Sequence, residues 1–319
     1  MIARELTVTS ADGSSLHVEV YGPEGAPAVV LVHGWTCSTR FWDAQTRALA
    51  VDHRVIAYDQ RGHGGSPEPA DRLTGYSTEA LADDLEAVLA ATLGPGERAV
   101  LAGHSMGGMT IMAAARRPVV RQHAAAALLC STGPSRLTAE ALVVPLRPGR
   151  VRSRLTRSIL GSKAPLGPVT PISKRILKYA TMGPASAPDR VDACARIVHA
   201  CPRAARHGWS RVLAGLDVEA DVRELRMPVA VLVGTGDRLT PPRHSRAMAA
   251  ALPHCTGLVE LAGMGHMTPV EAPEAVTAQI RELTLTYLGA KETAKAKETA
   301  KARANAEKKH SEEKEEAGA

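Results

Sequence analysis

The chain has 319 residues, 45% of them hydrophobic, which is enough to bury one substantial core and still carry an insertion. Its formal net charge is +6, but aromatic residues make up only 3% and include a single Phe, so the basic excess lacks the stacking side chains and motifs of a nucleic-acid binder. No apolar run approaches the ~18 to 20 residues that cross a bilayer, the N-terminus lacks the layout of a secretory signal, and five scattered cysteines (Cys37, Cys130, Cys194, Cys201, Cys255) show no paired metal or redox spacing; these features suggest a soluble cytoplasmic protein.

From Leu6 to Tyr21, apolar and polar residues alternate on either side of Asp12-Gly13, which predicts an antiparallel hairpin. The pattern then changes to short, continuously apolar runs: Ala28 to Val32, Arg54 to Tyr58, Ala99 to Ala102, Ala125 to Cys130 and Val229 to Val233. Such runs suit parallel strands buried on both faces. Helical stretches lie between them, the clearest being Ser77 to Leu93, where Leu81, Leu85, Val88 and Leu89 repeat with the helical period. Alternating strand and helix predicts an α/β fold with a doubly wound, mostly parallel sheet.

The alternation stops after Ser131. Residues 134–226 are rich in Pro, Gly and Arg, contain no buried-strand run and carry a basic excess of about ten charges. They predict a mainly helical insertion over the sheet, splitting a core of residues 1–133 and 227–289. The basic excess reads as a solvated face or as a surface that attracts anionic substrates or an acidic carrier. From 290 to 319 the composition becomes charged and repetitive, with KETAKA twice in tandem, and this tail is excluded from the fold.

The chemistry-bearing residues follow the strands. Gly103-His104-Ser105-Met106-Gly107 stands between a predicted strand and a predicted helix, the context in which G-x-S-x-G presents a nucleophilic serine. A serine hydroxyl needs a base. His266 supplies one at the end of the Gly-rich loop after Leu258 to Leu261, whereas His33, His63 and His104 lie inside other motifs and none of them follows the expected acid, Asp237, in chain order. Asp237, in the loop after Val229 to Val233, is the acid expected to orient His266, giving the order Ser, acid, His. The backbone N–H groups of Met106 and Trp35 are the expected oxyanion donors, Trp35 lying in His33-Gly34-Trp35 after the first buried strand. Trp35 and His104 are the expected substrate contacts.

Together with Asp59-Gln60-Arg61-Gly62-His63-Gly64-Gly65-Ser66, these motifs give the chain its resemblance, from about Leu6 to Leu288, to the α/β-hydrolase superfamily, in its serine-nucleophile, esterase- and lipase-like branch. The resemblance implies a variable cap at residues 134–226, structural turn roles for Asp59 and Arg61, and no metal or organic cofactor. Relatives that use an aspartate nucleophile are disfavoured by Ser105. The implied activity is hydrolysis of a medium-sized apolar acyl ester, thioester or lactone through an acyl-enzyme. Carbon–carbon bond hydrolysis, cofactor-free haloperoxidase-like chemistry, cyclisation and ligand reception on the same fold remain as alternatives, and the oligomeric state is left open.

Overall fold

The computed structural model describes residues 4–71 and 74–289; the charged tail expected at 290–319 lies outside them. Strands β1 (Arg4–Thr9), β2 (Ser15–Tyr21), β3 (Ala28–Val32), β4 (Arg54–Tyr58), β5 (Ala99–His104), β6 (Ala124–Cys130), β7 (Val229–Gly234) and β8 (Cys255–Leu261) form one sheet in the order β1-β2-β4-β3-β5-β6-β7-β8. The β1–β2 hairpin is antiparallel and β2 joins β4 antiparallel; the remaining pairs are parallel. The uninterrupted apolar runs are explained by this placement: β3, β5, β6 and β7 are buried at every residue, because helices cover both faces.

Before β6 the helices are α1 (Asp43–Leu49), α2 (Thr78–Thr92), α3 (Met106–Ala113) and α4 (Pro118–His123). After it come α5 (Leu137–Glu140), α6 (Arg150–Leu160), α7 (Pro171–Thr181), α8 (Pro188–Ala200), α9 (Arg203–Gly215) and α10 (Glu219–Val222), all before β7. The C-terminal helices are α11 (Pro242–Ala251), α12 (Thr268–Glu271) and α13 (Pro273–Tyr287). On one side of the sheet Val30, Ile56 and Leu101 pack with Leu81, Leu85 and Leu89 of α2 and Met109 of α3. On the other, Val29, Leu31 and Val100 pack with Leu49 of α1 and Val276 and Ile280 of α13. Helix α2 starts where Ser77 Oγ accepts the N–H of Ala80 at 3.0 Å, a cap contributing about 1 kcal/mol.

The turn after β4 is held by polar contacts within the fold. Asp59 accepts the N–H groups of Thr39 and Gly65, each at 2.8 Å. The Arg61 guanidinium forks onto Asp84 at 2.6 and 2.8 Å, with both side chains about 1% exposed. Arg61 also reaches Asp12 in the hairpin turn, so this one cation fastens β4, α2 and the β1–β2 turn together.

Between β6 and β7, two helices carry exposed apolar side chains. Val151, Leu155 and Ile159 of α6 are exposed, while Arg152 and Thr156 of the same helix are buried, with Arg152 donating to the Ala139 carbonyl of α5. Ile172, Ile176 and Tyr179 of α7 are exposed too. Among the described residues no helix is long and apolar enough to cross a membrane.

Candidate active site

The turn from β5 into α3 forces Ser105 to φ 52°, ψ −117°, a conformation that costs an L-residue roughly 1–3 kcal/mol. Its surroundings hold it there: Ser105 N donates to the Cys130 carbonyl at 2.9 Å, and its own carbonyl accepts from Thr132 Oγ1 at 2.7 Å. The two motif glycines are steric necessities. A Cβ on Gly107 would stand 2.1 Å from the Val32 carbonyl oxygen, and one on Gly103 would stand 2.6 Å from the Gly107 backbone.

Asp237 and His266 arrive from the loops after β7 and β8, which are neighbours in the sheet. His266 Nδ1 lies 2.8 Å from Asp237 Oδ2. The carboxylate is almost fully enclosed and saturated: Oδ1 accepts from Leu239 N and Thr240 N, each at 2.9 Å, and Oδ2 from Thr240 Oγ1 at 2.9 Å. Because Asp237 can only accept while ionised, the proton between it and His266 sits on Nδ1, which leaves Nε2 of a neutral ring as an acceptor.

Ser105 and His266 line one cavity of about 390 Å³, within the range of small-molecule sites. Trp35, Thr36 and His104 also line it, and its roof is Ile159, Leu160, Ile176 and Leu177 from α6 and α7. A smaller apolar cavity of about 60 Å³ meets Ser105 beside Met109, Leu137, Leu213 and Leu239. Among the described residues, the N–H groups of Trp35 and Met106 donate to no protein acceptor. Trp35 also packs against the core, and its indole N–H donates to the Arg206 carbonyl at 3.1 Å. His104 is 1% exposed; its Nε2 donates to the His266 carbonyl at 2.9 Å and its ring lies against Phe41 and His266. Burial holds that ring neutral, its pKa well below the ordinary histidine value.

Two further buried histidines lie behind Trp35. His33 Nδ1 donates to Gly34 O at 2.7 Å, and its Nε2 accepts from Gln60 N at 3.0 Å. His63 Nδ1 donates to Arg61 O at 3.2 Å, and its Nε2 accepts from Thr36 N at 3.2 Å. Protonating either Nε2 would set one N–H against another. Burial lowers His33 to about 4 and, with His33 as a like-charged neighbour, His63 to about 3. In the unfolded chain both titrate near pH 6.5, so their contribution to stability is complete above that value. It declines as pH falls, because the unfolded chain takes up protons that the folded one refuses, until pH passes the folded values. The expected loss at pH 5 is about 2 kcal/mol for each ring. Melting curves between pH 7.5 and 5 should show it as a falling Tm, and a Tm flat over that interval would exclude the effect.

The profile of the Alpha/beta hydrolase family matches residues 29–279. The chain belongs to the alpha/beta hydrolase family. Non-heme chloroperoxidase of Streptomyces lividans is 41% identical to this alpha/beta hydrolase over 103 residues, 32% of this chain and 36% of that protein's own length. The match to the pimeloyl-[acyl-carrier protein] methyl ester esterase of Aromatoleum aromaticum is longer: 28% identity over 262 residues, 81% of this chain and 98% of the relative. A solved structure of a thermophilic esterase from Thermogutta terrifontis superposes with a TM-score of 0.71 and 26% identity, covering 89% of this chain and 99% of the other.

Two residues of this alpha/beta hydrolase site have no part in the sequence reading. Thr240 bridges the pair, its Oγ1 2.9 Å from Asp237 and 3.2 Å from His266 Nδ1; its place three residues after the acid, in an Asp-led turn, is the signal that could have pointed to it. Glu271 is buried and accepts from Gly265 N, Met267 N, Gly183 N and Ser186 Oγ, so it grips the backbone on both sides of His266. Its most distant partner is 88 residues away, and no local pattern announces it.

Proposed function

We propose that this protein is a serine hydrolase that cleaves a carboxylic ester, thioester or lactone through an acyl-enzyme on Ser105. The observation that carries this reading is a strained Ser105 on the wall of the same cavity as His266, whose Nδ1 is held at 2.8 Å by an enclosed Asp237. In the first step Ser105 Oγ bonds to the carbonyl carbon while His266 Nε2 takes the hydroxyl proton, and the π electrons move onto the carbonyl oxygen. The N–H groups of Trp35 and Met106 are the proposed donors to that oxyanion. Its collapse breaks the bond to the leaving group, which receives the proton from His266. Water then repeats the sequence on the acyl-enzyme, with His266 again as base, releasing the acid and restoring Ser105.

Asp237 fixes the tautomer of His266 and stabilises the imidazolium that forms. Residues 134–226 are proposed to act as a cap that selects substrates, since α6 and α7 roof the cavity and present Leu160 and Leu177 to it. The whole-length esterase relative and the esterase neighbour support hydrolysis over the other chemistries of this family.

Intact mass after treatment with a fluorophosphonate, followed by turnover of p-nitrophenyl esters of graded acyl length, tests this reading. One adduct on the wild type and none on Ser105→Ala is expected. A folded wild type that takes no adduct and turns over no ester would overturn it in favour of a binding protein.

A further inference from the structure

The cavity beside Ser105 has one arginine in its wall, and among the described residues no carboxylate neutralises it. Arg206, in α9, is 6% exposed. One of its terminal nitrogens donates to the Ala164 carbonyl, yet its Nε is buried with no hydrogen-bond partner among the described residues. Among the described residues no carboxylate forms an ion pair with it, and none of the residues lining the cavity is acidic. Asp237, the acid of the site, is already saturated by four donors. Guanidinium groups are seldom buried without a counter-ion, because the lost hydration is costly, and a planar fork with unused N–H groups matches a carboxylate.

The neighbourhood reinforces the charge. No Asp or Glu occurs between Glu140 and Asp189, a stretch that holds nine Lys and Arg and supplies the cavity roof. Arg206 is also fixed in relation to the reacting centre. Its carbonyl accepts the indole N–H of Trp35 at 3.1 Å, and Trp35 is the residue whose backbone N–H is the proposed oxyanion donor.

We infer that Arg206 binds a free carboxylate on the substrate, so that the favoured class is an ester, thioester or lactone carrying a carboxylate remote from the scissile carbonyl. This rests on the serine-hydrolase reading for the reaction but not for the binding. The carboxylate could belong to the acyl half, as in a monoester of a linear dicarboxylic acid, or to the alcohol half, as in an acylated ω-hydroxy acid. Either would place an anion in a cavity whose remaining walls are largely apolar, with the chain between anion and ester against Ile159, Leu160, Ile176 and Leu177.

The test compares kcat/KM for monoethyl esters of linear dicarboxylic acids and for acetylated ω-hydroxy acids with neutral esters in which a methyl group replaces the carboxylate. The wild type should favour the carboxylate member of one series by at least about tenfold at its best length, and that series identifies the half that carries the anion. Arg206→Gln should lose about a hundredfold on that substrate while changing neutral esters by no more than about threefold, with Arg206→Lys recovering part of the loss. Equal rates for charged and neutral esters in the wild type, or an equal loss on both in Arg206→Gln, would overturn the inference. Should Arg206→Gln not fold, competitive inhibition of the wild type by free dicarboxylates, stronger than by monocarboxylates of equal length, supports the site, and equal inhibition refutes it. If no ester at all is turned over, the serine-hydrolase reading fails on its own. A rise in wild-type Tm with linear dicarboxylates that exceeds the rise with matched monocarboxylates would still support the anion site, and equal or absent shifts would refute it.

Discussion

Asp237→Asn is expected to lower kcat for ester hydrolysis by about four orders of magnitude while leaving the protein folded. The reason lies in how the carboxylate is divided. Oδ1 faces two backbone N–H groups, so the amide oxygen of asparagine must take that position. The amide NH2 then falls where Oδ2 stood and presents a hydrogen to His266 Nδ1. Nδ1 becomes an acceptor, the ring proton moves to Nε2, and the atom that should receive the Ser105 proton already holds one. Thr240 Oγ1 can rotate to accept from the new amide, so stability should change little. Kinetics on a p-nitrophenyl ester together with a melting curve would check both halves, and a rate loss below about tenfold would remove Asp237 from the role of orienting acid.

Glu271→Ala should cost far more stability than Asp237→Asn. Four donors from two segments converge on this carboxylate. Removing it orphans three buried N–H groups and a hydroxyl, costing roughly 3 kcal/mol or more, or about 6 to 12 °C in Tm. Glu271→Gln is the informative partner. It keeps the volume but turns an NH2 toward one of the backbone donors, loosening the loop on either side of His266 without emptying the site. We expect kcat and the rate of fluorophosphonate labelling to fall together by about tenfold or more, with KM little changed. A purely structural Glu271 would lower Tm and leave the labelling rate of the folded fraction untouched.

Much of this architecture is legible in the sequence because its signals are local. Ala28 to Val32 or Val229 to Val233 can be recognised as doubly buried strands from five consecutive residues, and Gly103 to Gly107 announces a tight strand-to-helix turn because only glycine fits 2.1 Å from the Val32 carbonyl. Asp237 and His266, which lie 2.8 Å apart, are each singled out by the strand they follow. What stays hidden depends on where distant segments meet. Glu271 acquires its partners from residues 183 and 186, and Arg206 meets Trp35 across 171 positions of sequence. The helical insertion misleads periodic reasoning in another way. A stripe such as Val151, Leu155, Ile159 normally marks a buried face, but here Arg152 and Thr156 take the inner side, Val151 and Leu155 are left outside and Ile159 lines the cavity.

The backbone at the end of α7 has a mechanical consequence. The Thr181 carbonyl accepts from both His266 N, at 2.8 Å, and Met267 N, at 3.2 Å, and two residues later Gly183 is clasped by Glu271. The end of helix α7 is therefore tied through backbone hydrogen bonds to the loop that carries His266, so the roof of the cavity and the seat of that imidazole form one connected unit.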